Sequence, residues 1–491
     1  MRITASSWYE LYFPTRCEKR PRLIAAGEIP REKDPYAELL VKLGRRYEEQ
    51  YLSSLPAFED MRGGTEDERM QKTFKAIQDH VPVIYQPFFK TWLNLEGEKV
   101  EVVGEPDFLI WDGNGYLIRD VKIARRVTQK DKPQIWHQLQ AYGVLFQSLM
   151  GEAPKSLQVY NGLGEILPFD YMGLESFAWD VIKLIRIQQG DPITYEPVGV
   201  SKCQQCPFKS KCWSEAEARQ DVSLCYNIDQ EAARTLWEGH ITTIKALAEM
   251  DEVKLAEMKV KRGTTERRMG RTGLKAIQMA QAVVAGKAIV LSKPDLPEGE
   301  NFVIFDIEGI PEGYDDLTRI YLWGCRLYSV GKDPGPYIGA TADLSTDWDR
   351  ESWFMFLREI GKIFGEYGDI PLIHWHHYER THVQKYLERY GDIDGTAQRV
   401  LNNLLDLLPI CKESIALPLY SYSLKVVEKW VGFKRSQDEY GGSWSIVEFI
   451  EAIETNDPAM RKEKLDGILI YNFEDLEATW QVYLWLRSMA A

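Results

Sequence analysis

Four cysteines set the strongest limit on how this chain folds. Cys203, Cys206 and Cys212 lie in the run KCQQCPFKSKCW, and Cys17 stands alone far upstream. Three thiolates spaced C-x2-C-x5-C can wrap one metal or one cluster, but a tetrahedral site takes four ligands, and Cys17 is the natural fourth. Ligands placed this way bracket everything between them, and a segment with its ends tied by metal is expected to fold as a domain. The chain has seven cysteines, an odd number, and its start, MRITASSWYELYF, lacks the basic-then-apolar plan of an export signal. Reduced thiols serving as ligands and a cytoplasmic location are therefore expected, with Cys225, Cys325 and Cys411 left as buried small hydrophobes.

At 491 residues the chain exceeds one ordinary core, and its length suggests about three domains. No run of residues is apolar enough for a membrane span. The net charge of −14 argues against a surface coated in nucleic acid, so a polyanion would have to be met by local basic patches or by metal ions. One such patch gathers Lys259, Lys261, Arg262, Arg267, Arg268, Arg271 and Lys275 around a lone acid, Glu266. Two readings of it stay open, a solvated helix face or loop and a phosphate-binding surface.

Helical spacing runs from Ser7 to about Cys17 and from Tyr36 to about Leu52, and AFEDMRGGTEDERM reads as a loop. A strand series follows: PVIYQPFF, KVEVVGE, PDFLIW and YLIRDVKIA, the last two joined by the tight turn Asp112-Gly113-Asn114-Gly115. Residues 133 to 150 are expected to be helical, 157 to 162 a strand and 170 to 190 an amphipathic helix. That order describes an α/β core with a mixed sheet. Residues 226 to 298 read as a small helical module, and SKPDLPEGEN as a linker. From FVIFDIEG a second α/β unit runs to the C-terminus, mostly helical beyond residue 395.

Between the cysteines, Asp107 follows a strand, while Asp120 and Lys122 lie two apart on the next hairpin and so share a strand face. Two acids beside a lysine can hold Mg²⁺ and steady an attacking water near a phosphate. Gln138 and Tyr142 share a face of the following helix. A D-x-K triplet alone is common on solvated strands; the ordered set is less so. G-x-x-D at Gly104 to Asp107, D-x-K at Asp120 to Lys122 and Q-x3-Y at Gln138 to Tyr142 together resemble the PD-(D/E)XK nucleases of the RecB type. The lone N-terminal cysteine with the later C-x2-C-x5-C is similar to the iron-sulfur branch of that superfamily, the AddB type. The resemblance, over residues 1 to 225, implies a 4Fe-4S cluster on Cys17, Cys203, Cys206 and Cys212 that staples the ends of the nuclease domain, with zinc as the alternative. It also implies a His-Glu pair on the first long helix. The stretch LGRRYEEQYL keeps Glu48 but has Tyr47 where the histidine would stand, and a protonated phenol is a poor Mg²⁺ ligand. Activity of this first site is in question on that ground.

After the linker, Asp306 and Glu308 share a strand face, and like charges so close favour a bridging divalent cation. Glu379 begins a helix after a short apolar strand, and Tyr471 and Asp475 sit at i, i+4 near the C-terminus. Together these resemble the DnaQ-like exonucleases of the RNase H fold, of the variety with Y-x3-D in the last motif, over residues 299 to 491. The resemblance implies Mg²⁺ or Mn²⁺ held by Asp306, Glu308, Glu379 and Asp475, with Tyr471 orienting water; Glu379 replaces the usual Asp of the middle motif. His374, His376, His377 and His382 lie nearby, and Asp406 ranks as a secondary acid. YSYSLKVVEKWVGF resembles a recurring piece of that family, expected to pack or to position the substrate strand. The middle module loosely resembles a helix-hairpin-helix backbone grip, with a plain helical spacer equally open.

The expectation is thus a metal-dependent nuclease, a DNA exonuclease acting on single-stranded or free ends in processing or repair, with no membrane partner. The rival is an iron-sulfur DNA-binding scaffold in which one or both sites are inactive.

Overall fold

The computed structural model describes residues 2–13, 16–29, 35–95, 97–193, 195–204, 206–263, 265–310, 319–341, 347–436 and 441–490. The chain divides into two compact units. One holds Met1–Glu196 and Ser201–Cys212; the other holds Pro197–Val200, Trp213–Pro311 and Leu317–Ala491.

The first unit opens with β1 (Arg2–Thr4), α1 (Ala5–Tyr12), α2 (Lys19–Ala25) and α3 (Pro35–Ser54). After β2 (Glu59–Asp60) comes α4 (Glu66–Gln78), which begins inside the stretch 57–70 expected from sequence to be a loop. The cause is a capping box: Thr65 Oγ1 accepts from Glu68 N at 3.3 Å, and Glu68 Oε2 accepts from Thr65 N at 2.7 Å. The segment PVIYQPFF, read as one strand, is two. It breaks at Gln86, whose φ is 51°, and Pro87, giving β3 (Val83–Tyr85) and β4 (Phe89–Leu95) in different sheets. Strands β5 (Glu98–Gly104), β6 (Phe108–Trp111), β7 (Tyr116–Val121), β8 (Ser156–Tyr160) and β9 (Ile166–Phe169) complete the set, with α5 (Pro133–Met150) between β7 and β8 and α6 (Glu175–Gln189) after β9.

The main sheet has the order β2-β3-β6-β7-β8-β9, with β7 parallel to β8 and the expected β6–β7 hairpin antiparallel. The side sheet is β1-β5-β4. Helix α5 buries one long face, including Leu139, Tyr142, Leu145 and Phe146, in the core under these sheets. Two short helices, α7 (Val200–Cys203) and α8 (Lys209–Ala218), carry Cys203 and Cys212.

The second unit begins with α9 (Gln230–Glu238), α10 (Ile244–Ala248) and α11 (Glu252–Glu257). Asp229, Thr243 and Asp251 cap these helices with side-chain oxygens, which explains three short helices in quick succession. Of the basic run that follows, Arg271 and Lys275 lie on the next helix, and the rest is neither helix face nor loop. It is an antiparallel hairpin, β10 (Lys259–Arg262) with β11 (Thr265–Arg268), anchored by buried Val260 and turned at Gly263, φ 61°. Helix α12 (Gly270–Ala285) and β12 (Ile289–Val290) follow.

The five-stranded sheet of this unit has the order β15-β14-β13-β16-β17, from β13 (Asn301–Gly309), β14 (Ile320–Ser329), β15 (Tyr337–Ala340), β16 (Leu372–His374) and β17 (Leu404–Asp406). The first three strands pair antiparallel; β16 and β17 join parallel to β13. Helices α13 (Trp348–Tyr367), α14 (Tyr378–Tyr390) and α15 (Thr396–Asn403) connect these strands. Then come α16 (Leu407–Ser414), β18 (Ile415–Ala416), α17 (Leu424–Trp430), α18 (Gly442–Glu454) and the long α19 (Pro458–Ala490). Alternation on β13 sends Val303, Phe305 and Ile307 into an aromatic core with Trp323, Trp353 and Phe356, which leaves Asp306 and Glu308 on the opposite face. No helix among the described residues is long and apolar enough to cross a membrane.

Candidate active sites

In the second unit, one ligand atom each from Asp306, Glu308 and Asp475 lies within 4.8 Å of the others. Among the described residues no other three His, Cys, Asp or Glu side chains gather so closely. Burial, then repulsion from Asp475, holds the carboxyls of Asp306 and Glu308 well above the usual carboxylate range.

Each acid has its own support. Opposite Asp306 on β14 stands Gly324, where a Cβ would lie 1.7 Å from Asn472 Oδ1. The glycine therefore leaves the space through which Asn472 Nδ2 donates to Asp306 Oδ2 at 2.7 Å. Tyr337 OH donates to Asn472 Oδ1 at 2.9 Å and fixes the amide's orientation. Glu308 bonds the hydroxyls of Ser445 and Tyr321, which share a 2.8 Å hydrogen bond. Asp475 accepts from Arg435 Nη2, and the same guanidinium is bidentate to Glu428, at 2.6 and 2.7 Å. Lys425 Nζ lies 4.7 Å from the Tyr471 ring centroid. Burial, then Arg435, pulls that ammonium below the usual lysine range.

Glu379 is buried at the start of α14 as expected, but it is not one of the three. Its Oε2 lies 3.2 Å from His374 Nδ1, which also meets His376 O at 2.6 Å. Tyr471 is 5% exposed, on the same helix as Asp475, and burial keeps it a phenol. Asp406 caps α16, its Oδ1 accepting from Leu408 N at 3.0 Å and His376 N at 2.8 Å.

In the first unit the predicted residues also converge. Asp107 Oδ2 accepts from Val121 N at 2.7 Å. Glu48 Oε1 accepts from Tyr85 OH at 2.9 Å and from Gln86 Nε2 at 2.7 Å, and the same amide lies 3.3 Å from Asp107 Oδ1. Asp120 is 1% exposed, with Lys122 Nζ at 2.5 Å. Burial alone would lower the Lys122 ammonium, but Asp120 and Asp107 outweigh it and hold it above the usual lysine range. Burial, then Asp120, raises Asp107. Gln138 Nε2 donates to Tyr142 OH at 3.1 Å. A Cβ on Gly104 would press on the Tyr142 ring at 3.0 Å and on Leu145 at 2.5 Å, so that glycine lets α5 close on the strand. Tyr47 donates its phenol proton to Asn161 O and stacks on Tyr160, with centroids 5.5 Å apart.

Sequence reasoning missed Gln86, Asn472, Ser445, Tyr321 and Arg435. Asn472 sits between Tyr471 and Asp475 in the motif itself, and Lys425 and Glu428 lie in the segment singled out as recurring. Gln86 left no signal, because a left-handed φ on a glutamine is a product of tertiary packing.

The four cysteines fall in the first unit, and polar contacts stitch their segments together. Glu196 Oε1 accepts from Glu18 N at 3.0 Å while Glu196 Oε2 pairs with Lys202 at 2.6 Å; Lys211 pairs with Glu28 at 2.6 Å. The Cys17 thiol is pushed up to about 11 by burial, against the pull of Lys202. A cation or cluster beside it would reverse that push by favouring thiolate, so the donor set suits a thiophilic group. Among the described residues no three of these sulfurs lie within 4.8 Å of one another.

The basic run is largely self-paired. Lys259 meets Glu266, Arg262 meets Asp229, Arg268 meets Glu257, and Arg271 and Lys275 both meet Glu413. Lys261 and Arg267 make no ion pair among the described residues and are exposed.

With both sites described, the family comparisons fall into place. Residues 21–213 match a family model of the PD-(D/E)XK nuclease superfamily, and residues 303–487 match the RNase_H_2 model of the RNase_H superfamily. The chain thus carries a PD-(D/E)XK nuclease superfamily domain in its N-terminal region and an RNase H superfamily domain in its C-terminal region, both of phosphodiester-cleaving hydrolase type. No curated protein matches the chain. Among solved structures, "Crystal structure of SSO0001" is similar over 43% of this chain and 86% of its own, with 14% identity and a TM-score of 0.25.

Proposed function

We propose that this chain is a DNA exonuclease that trims single-stranded or free ends, with the C-terminal site as its principal catalyst. The observation that carries the reading is the gathering of Asp306, Glu308 and Asp475 within 4.8 Å of one another, with Glu308 and Asp475 buried and Asp306 half-buried. Such a cluster fits Mg²⁺ or Mn²⁺, held through one carboxylate oxygen from each acid. When bound, the ion supplies Lewis-acid polarisation and lowers the pKa of water. The chain supplies the rest. Asn472 locks the Asp306 carboxylate in place, Ser445 and Tyr321 do the same for Glu308, and Tyr471 offers its phenol proton to orient the attacking water. Attack of that water's oxygen on phosphorus breaks the bond to the adjoining sugar oxygen, which leaves with a proton.

The domain division proposed from sequence, at 225 and 298, would set a helix-and-hairpin module between two nuclease cores. In it, Lys259, Lys261, Arg262, Arg267, Arg268 and Arg271 would face the backbone of the DNA. In the N-terminal core we place a 4Fe-4S cluster on Cys17, Cys203, Cys206 and Cys212, supported by the polar stitches that gather their segments. The scaffold reading is favoured for that core by one observation: Tyr47, at the position of the usual histidine, donates its hydroxyl hydrogen bond to the Asn161 carbonyl.

The test is cleavage of single-stranded DNA labelled at the 5′ or the 3′ end, with Mg²⁺ or Mn²⁺, by the unaltered chain and by Asp306→Ala and Lys122→Ala. Loss with Asp306→Ala alone assigns catalysis to the C-terminal site. Absence of cutting by the unaltered chain would sink the exonuclease reading in favour of the scaffold. Absorbance near about 400 nm that disappears with Cys206→Ala distinguishes iron-sulfur from colourless zinc.

A further inference from the structure

Two cations are built into the C-terminal carboxylate cluster where a two-ion nuclease site would have none to spare. Arg435 has a side chain 2% exposed, clamped on Glu428 and shared with Asp475. Its Nη1 is buried with no hydrogen-bond partner among the described residues, and so is the Nζ of Lys425. Resting on the nuclease reading above, we propose that Lys425 and Arg435 take the place of a second metal ion. The Asp306–Glu308–Asp475 triad then holds one divalent cation, and the Lys425 ammonium meets a non-bridging oxygen of the scissile phosphate.

Three observations converge on this. The first is charge. Asp306, Glu308, Asp475 and Glu428 face Arg435 and Lys425, and the balance left over is two negative charges, which one divalent ion cancels. The second is ligand supply. Glu379, expected from sequence to help complete the metal shell, is committed to His374, and Asp406 to the backbone N–H groups of His376 and Leu408. Arg435 also covers one oxygen of Asp475, which leaves that acid a single oxygen to offer. The third is the cost of burying an ammonium without an acceptor, which the Tyr471 ring offsets only in part. A phosphate oxygen arriving with substrate would complete the shell of Lys425. In these terms Lys425 is a catalytic residue. Arg435 is a positioning residue that acts through Asp475.

The decisive measurement is the number of Mn²⁺ ions bound by the full chain, counted by isothermal titration with electron paramagnetic resonance of free Mn²⁺. The unaltered protein minus Asp306→Asn should differ by one ion, whatever the N-terminal site contributes. A difference of two overturns the one-ion proposal and leaves the metal centre standing; no difference overturns the metal centre itself. Lys425→Met should bind Mn²⁺ at this site several-fold more tightly, because a competing cation is gone, while cleavage falls on the order of 100-fold. Lys425→Arg should recover part of the cleavage. Weaker Mn²⁺ binding in Lys425→Met, or cleavage unchanged, overturns the role given to the lysine. Should Lys425→Met fail to fold by circular dichroism, Lys425→Gln with Arg435→Lys provides the same readouts.

Discussion

Asp306, Glu308 and Asp475 crowd within 4.8 Å of one another even though Asn472, Ser445 with Tyr321, and Arg435 support them, whereas among the described residues of the N-terminal core no three acids gather so closely and a lysine lies against one of them. Asp107 has the Val121 amide, Glu48 has Tyr85 and Gln86, and Asp120 has Lys122. Both cores carry nuclease-type folds and similar residue types, so the contrast lies in unspent charge. Three crowded carboxylates store repulsion that a divalent ion relieves, while acids less tightly gathered, one of them against a lysine, gain less from one.

The sharpest way to break this comparison is to delete one acid from each cluster. Asp306→Ala should lower Mg²⁺-dependent cleavage of single-stranded DNA by on the order of 10³-fold or more. Asp120→Ala should leave most of it. Equal losses in steady-state rates would mean that the matched cluster is catalytic too.

Stored repulsion also predicts a gain in stability. In chelator, Asp306→Asn should raise the melting temperature of the C-terminal unit by about 3–6 °C, the equivalent of roughly 1–2 kcal/mol of relieved repulsion. The amide keeps an oxygen to accept from Asn472, so that contact survives. Saturating Mg²⁺ should erase or reverse the difference, because only the unaltered chain gains binding energy. Asp120→Asn relieves its repulsion of Asp107 but strands Lys122, so calorimetry should show it destabilised in both conditions. A stabilised Asp120→Asn would erase the distinction between the cores.

How far each core was legible follows from the distance between partners in the chain. Asp306 with Glu308 is a period-two pair and Tyr471 with Asp475 a helical pair, both readable because local geometry alone aligns them. Arg435 lies 40 positions from Asp475 and reaches it through a fold that no spacing rule encodes. Glu379 was placed correctly at its helix start, yet nothing in HWHHYE says that its carboxylate turns to His374. The hairpin at 259–268 escaped notice because charges dominate a run in which one buried residue, Val260, anchors the strand pair. The Thr65–Glu68 capping box was present in the letters and was masked by the two glycines before it.

A smaller effect tests the N-terminal core directly. Tyr47→Phe removes the hydrogen bond to Asn161 O and keeps the stack on Tyr160, so unfolding should become easier by about 1 kcal/mol. Mn²⁺ binding by the chain should not change. Reduced Mn²⁺ binding in this variant would show that the phenol oxygen contributes to a metal site, and the contrast with the C-terminal core would fail.

The smallest expected effect separates cations inside the C-terminal unit. Lys259 and Arg268 already face Glu266 and Glu257, so a phosphate must displace a carboxylate that remains nearby and repels it. Lys261, which stands cross-strand from Glu266 without an ion pair to it, and Arg267 hold no such pair among the described residues and can release counterions from DNA at closer to full value. Lys261→Ala or Arg267→Ala should therefore flatten the dependence of log binding constant on log salt by about 0.7 each for single strands, and Lys259→Ala or Arg268→Ala by less. Fluorescence anisotropy across a salt series, in chelator to prevent cleavage, measures both slopes. Equal slopes for all four variants would mean that these ion pairs open freely on binding, and that self-pairing is no guide to which cations of this unit grip the strand.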